Sequence, residues 1–181
     1  MLSRKYGHDY RMVEDLGKRG RLCRRAEYIG GAYYPTAGEA ALVSAAGRCR
    51  LLLLLGAAAY FAALLPRSLA ADTVYILLPF VFSLLPLALA LARVRILRQA
   101  APWKHEEADR LASLPACALF LLLLSIGPLL ALGITALRRP GALLPGDAVF
   151  ALGCGVLSAV GAVLLRLRPL FRCEKQDGSV Y

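Results

Sequence analysis

His105, Glu106 and Glu107 stand side by side in the polar stretch RVRILRQAAPWKHEEADR, which runs from Arg93 to Arg110 and also holds Trp103, Lys104 and Asp109. An imidazole beside carboxylates can move protons or hold a metal ion. The helical zinc-protease signature H-E-x-x-H needs a second histidine one turn on, and H-E-E does not supply it. Glu106 and Glu107 instead suit the first turn of a helix, where carboxylates face the positive end of the peptide dipoles. Trp103 suits an interfacial anchor. His8 stands next to Asp9 with no further spacing that makes a site. The five cysteines, Cys23, Cys49, Cys117, Cys154 and Cys173, form no C-x-x-C pair and no Cys/His spacing, so neither a disulfide framework nor a zinc site is expected. No catalytic residue, metal ligand or cofactor is assigned on these grounds, and the chain is expected not to be an enzyme.

The elements that must carry these groups are mostly apolar. No charged residue occurs across 51–66, 73–92, 111–137 or 148–165, and 59% of the chain is hydrophobic. At about 1.5 Å of rise per residue, roughly 20 residues cross a hydrocarbon core of roughly 30 Å. Four transmembrane helices are therefore predicted, at about 49–66, 73–92, 112–137 and 147–166. The first is the shortest and needs Arg50 and Arg67 to reach outward to the headgroups. The fold class is an all-α integral membrane protein, with a basic N-terminal region at 1–48, a membrane domain at 49–168 and a tail at 169–181.

Lys and Arg are divided unevenly among the non-apolar segments. Nineteen fall in the N-terminal region, the middle connection and the tail, against three in the other two connections. Cytoplasmic residence of both termini follows from the positive-inside rule. The net charge of +10 is then a matter of topology and of attraction to anionic lipids, and nucleic-acid binding is not expected. The first apolar run begins only at Leu51, so no cleavable leader is read. Leu, Ala and Arg richness fits a GC-rich genome and no more; a bacterial inner membrane is the expected location.

Ahead of the first span, a β-hairpin is predicted over about 9–29, with Gly17-Lys18-Arg19-Gly20 as the reversal. A lone hairpin is marginal in water and needs support. Tyr28, Gly30, Gly31, Tyr33 and Tyr34, with Trp103, are the candidate contacts to a partner or interface. Thr36-Ala37-Gly38-Glu39 has the form of a capping box, so a lead-in helix should start at 37, interrupted or tilted near Gly47. Asp72 and Asp147 open similar D-x-V-aromatic-x-L runs, which suggests two tandem helical hairpins. Pro79, Pro86 and Pro128 are candidate kinks. In the fourth span Ala151, Gly155, Ala159 and Ala162 form a small-residue face suited to close helix packing, with Gly153, Ser158 and Gly161 nearby.

The four stretches contain no Asp, Glu, His, Lys or Arg, which disfavours proton relays and coupled pumping. The expected function is a non-catalytic accessory or scaffold subunit of a larger membrane assembly, in contact with a protein partner or with further copies of itself. Two alternatives are a small oligomeric channel lined by the proline-kinked helices, and a membrane enzyme using His105 with Glu106 or Glu107 at the cytoplasmic face.

Overall fold

The computed structural model describes residues 4–16, 22–99, 101–139, 141 and 143–176. A 3-10 segment, Arg4–Asp9, leads into β1 (Tyr10–Leu16), which pairs antiparallel with β2 (Leu22–Tyr28) in a register that sets Tyr10 opposite Tyr28. The hairpin is thus formed, and its predicted glycine-bracketed reversal lies outside the described residues. β3 (Ala32–Pro35) follows and pairs antiparallel with β4 (Cys173–Gln176), a strand drawn from the C-terminal segment. Residues 169–176 are therefore part of the folded unit rather than a separate tail.

α1 (Glu39–Leu64) runs unbroken through Gly47 for 26 residues, about 39 Å. Lead-in helix and first span are one rod, so the shortness of the uncharged run is no obstacle. The predicted capping box at Thr36 is not made. Gly38 occupies the N-cap, while both the amide and the hydroxyl of Thr36 donate to the Arg172 carbonyl at 3.1 Å. Strand pairing at the end of β3 has claimed the residue that would have capped the helix.

After the short α2 (Leu69–Asp72), the second span is split into α3 (Val74–Phe82) and α4 (Leu84–Val94). The break at Ser83 has a direct cause. Pro86 has no N–H for the carbonyl four residues earlier and settles into the first turn of a new helix. Pro79 sits inside α3. The Tyr60 hydroxyl of α1 donates to the Val81 carbonyl, near the break, at 3.5 Å. α5 (His105–Ala112) and α6 (Leu114–Arg138) meet at a turn on Ser113, with Pro115 at the start of α6. Pro128 lies within α6, which continues past it, and α7 (Pro145–Arg166) completes the set.

The helices form a closed ring: α1 packs on α4 and α7, and α6 packs on α3, α4 and α7. Tyr60 and Phe80 stack at 4.8 Å, and Phe80 meets Phe150 at 4.7 Å, filling the centre with rings from three spans. The hydroxyls of Ser125 and Ser158 lie 2.8 Å apart, each also within reach of a carbonyl four residues back, so that one donates across to the other and ties α6 to α7 while the second donates to its own helix. Close approach on α7 is made by Gly153 and Gly161. A Cβ on Gly153 would fall 2.6 Å from the Ala63 Cβ, and one on Gly161 would fall 2.9 Å from the Ala118 carbonyl. On the predicted small-residue face, Gly155 has nothing within 4 Å of where a Cβ would stand and Ala159 is exposed, while Ala151 and Ala162 are half-buried. That stripe is not the one the chain's own helices use.

Four helices are long and apolar enough to cross a membrane, and only 33–39% of each apolar window is buried. The exposed surface carries Leu54, Phe61, Leu85, Phe120, Leu130 and Leu152, apolar side chains that a hydrocarbon surrounding would accommodate. At the far end of the ring, buried Asp147 accepts hydrogen bonds from the Leu144 amide at 2.8 Å and the Ala70 amide at 3.0 Å. Its counterpart in the suspected repeat, Asp72, is exposed, so the two aspartates do different jobs.

Candidate functional site

At the other end of the ring, three segments remote in sequence are stitched into one cap. The amide of Tyr33 donates to the Trp103 carbonyl at 3.1 Å, and the amide of Trp103 donates to the Tyr33 carbonyl at 2.9 Å. β3 thus lies between the middle connection and β4. Trp103, predicted as an interface contact, is 3% exposed, because its indole donates to the Gln99 carbonyl at 3.1 Å and its ring faces the chain's own core.

His105 opens α5 beneath this cap. Its ring stacks on Tyr33, with centroids 5.3 Å apart and planes 16° from parallel, and takes the edge of Tyr6 at 5.4 Å. Its backbone N–H donates to the Tyr28 hydroxyl at 2.8 Å, while that hydroxyl donates to the Gly31 carbonyl at 3.0 Å. Burial pushes the Tyr28 hydroxyl up from the usual phenol range, which keeps it in the protonated form this double role requires. Gly30 lies hard against the same ring: a Cβ there would stand 2.5 Å from the Tyr28 oxygen. Of the predicted contacts only Tyr34 is classed as exposed, at 39%; Tyr28, Gly30, Gly31 and Tyr33 are half-buried, with Tyr28 and Tyr33 spent on internal contacts.

The imidazole of His105 reaches Asp9, 96 residues earlier, with Nδ1 2.8 Å from Oδ2. The other Asp9 oxygen lies 3.2 Å from His8 Nε2. Asp9 is buried, and its carbonyl accepts the amides of Ile29 at 2.8 Å and Gly30 at 3.2 Å, so the hairpin base holds it in place. Residues with no recognisable spacing in the sequence are thereby gathered at one point. The adjacent glutamates go elsewhere: Glu106 pairs with Arg110, and Glu107 accepts the Lys104 amide at 3.0 Å at the start of α5.

One turn along α5, Asp109 receives Lys5 and, at 2.9 Å, the Tyr6 hydroxyl. The Lys5 ammonium, then the Tyr6 hydroxyl, hold the Asp109 carboxyl below the usual carboxylate range. Its contribution to stability is complete above the ordinary carboxylate value and is lost as pH falls through the lowered one. Lys5 is the converse case. The bond to Asp109 raises it, so its contribution is present below the ordinary lysine value and is lost as pH rises through the raised one. Asp109→Asn should return the Lys5 titration to the ordinary lysine range near 10.4, read by NMR of isotopically methylated lysines. An unchanged Lys5 titration would separate the two groups.

Beside this cluster opens a cavity of about 650 Å³, lined among others by Tyr33, Thr36, His105, Asp109, Arg168 and Arg172. It lies where the middle connection, β3 and the C-terminal segment converge. Comparison with protein-family models, with curated proteins and with solved structures finds no match to this chain.

Proposed function

We propose that the protein is a membrane-integral, non-catalytic scaffold: a four-helix span whose cap serves as the assembly face of an accessory subunit in a larger membrane complex. The observation that carries this reading is the construction of the cap. The N-terminal hairpin, the middle connection and the C-terminal strand join at one end of the ring, and each continues into or out of a different helix. The chain before the first span, the middle connection and the chain after the fourth span hold nineteen of the 22 Lys and Arg residues, which by the positive-inside rule supports a cytoplasmic cap against anionic lipid; a bacterial inner membrane is the location we propose.

The interior argues against transport. Among the described residues the buried polar side chains of the helical part are Ser83 and Ser125, bonded to nearby carbonyls, Ser68, which accepts the Ala71 amide, and Asp147, bonded to two amides, and these do not form a string of titratable groups. The enzyme alternative relied on Glu106 or Glu107, which are engaged by Arg110 and by the Lys104 amide.

Mild extraction from the native host followed by native mass spectrometry should release the protein in a stoichiometric assembly with at least one further chain. Recovery of monomer alone, under conditions that preserve other membrane complexes, would overturn the proposal.

A further inference from the structure

We propose that His8, Asp9 and His105 bind one divalent transition-metal ion of the zinc class. The chain has two histidines in 181 residues, and the fold brings both to the same carboxylate. One ligand atom from each of the three residues lies within 4.8 Å of the others. Around a tetrahedral ion with bonds of about 2.0–2.1 Å, ligand atoms stand about 3.3 Å apart. The Asp9 oxygens are already 2.8 Å from His105 Nδ1 and 3.2 Å from His8 Nε2. The widest separation therefore needs to close by no more than about 1.5 Å, and the His8 side chain, 68% exposed, has room to do so.

Two of the three ligands are held before any ion arrives. Tyr33 and Tyr6 fix the plane of His105, and the amides of Ile29 and Gly30 fix Asp9. Without an ion the His105 Nδ1–H donates to the Asp9 carboxylate; an ion takes the place of that proton, leaving the ring hydrogen on Nε2. Two imidazoles and one carboxylate suit zinc, cobalt, nickel or copper rather than the hard cations, which prefer an all-oxygen set. Three protein ligands also leave coordination positions open, and His105 lines the cavity that Arg168 and Arg172 share. The ion would fasten the segment ahead of β1 to the start of α5.

The test uses the full chain in detergent, purified without a polyhistidine tag and stripped with chelator. Zn²⁺ is titrated by calorimetry and Co²⁺ by visible absorption. One equivalent should bind with micromolar or tighter affinity, and Co²⁺ should give the intense d–d bands of a low-coordinate site. His8→Gln, at an exposed position the fold does not depend on, and His105→Gln should each weaken binding by roughly 100-fold. Tyr34→Phe should leave it unchanged. No saturable binding, or binding retained in His8→Gln or in His105→Gln, would overturn the assignment; in the second case the ion resides on other groups such as the cysteines.

Discussion

Replacing Asp147 by alanine should lower the stability of the detergent-solubilised protein by about 3 kcal/mol. One carboxylate oxygen accepts the Ala70 amide, on a residue with no exposed surface, and the other accepts the Leu144 amide at the start of α7. Removing a charged acceptor from a buried N–H costs about 1.5–3 kcal/mol, and losing the helix-start contact adds about 1 kcal/mol. The bond to Ala70 also ties α2 to the start of α7. Asp147→Asn should fall between wild type and alanine, since an amide keeps one acceptor but turns its NH₂ toward the other donor. Thermal unfolding in one detergent checks the series, with a midpoint drop on the order of 10 °C for alanine. Equal midpoints for wild type and Asp147→Ala would show that water satisfies both amides.

The second large effect is steric and separates neighbouring glycines on α7. Gly153→Ala places a methyl 2.6 Å from the Ala63 Cβ and 3.1 Å from the Ala59 carbonyl, so α1 and α7 must move apart along their contact. Overpacking of this kind costs about 1–3 kcal/mol. Gly146→Ala should be worse still, because its methyl would stand 2.1 Å from the Arg67 carbonyl, and backbone cannot rotate away as a side chain can. Gly155→Ala meets nothing within 4 Å and should be neutral or slightly stabilising, since alanine favours the helix by about 1 kcal/mol over glycine. Unfolding midpoints in a common detergent should therefore order Gly155→Ala, Gly153→Ala, Gly146→Ala from most to least stable. A Gly155→Ala protein as damaged as Gly153→Ala would mean that the stripe facing outward is itself a packed interface.

These contrasts mark where sequence patterns are informative and where they are not. Uncharged runs of 16 residues and more announce apolar helices, because no other element can hide so much apolar surface and satisfy its own backbone. The hairpin was legible because its two strands are neighbours in the chain. β3 and β4 were not: each is four residues long, and their partners are roughly 140 residues apart. Thr36 shows the same blindness in miniature, since T-x-x-E reads as a cap until a distant carbonyl competes for the same hydroxyl. The packing stripe on α7 was ambiguous because small residues occur on several of its faces, and only the neighbour decides which face is used. The His8–Asp9–His105 cluster left no trace in spacing at all. What places it is the Tyr28 hydroxyl on the His105 amide and the pairing of Trp103 with Tyr33, both made by residues without catalytic character.

The pairing of β3 with β4 also fixes an order of events during synthesis. β3 leaves the ribosome ahead of all four apolar helices, yet its partner is made only after the fourth of them. Non-local strand pairing cannot form until both strands exist. The cap therefore closes only after the whole helical ring has been delivered, and a chain truncated before Cys173 would leave one flank of β3 open. Completion of the cap thus reports that all four apolar helices have been made, and any partner that reads the closed cap would bind only chains that carry the whole ring.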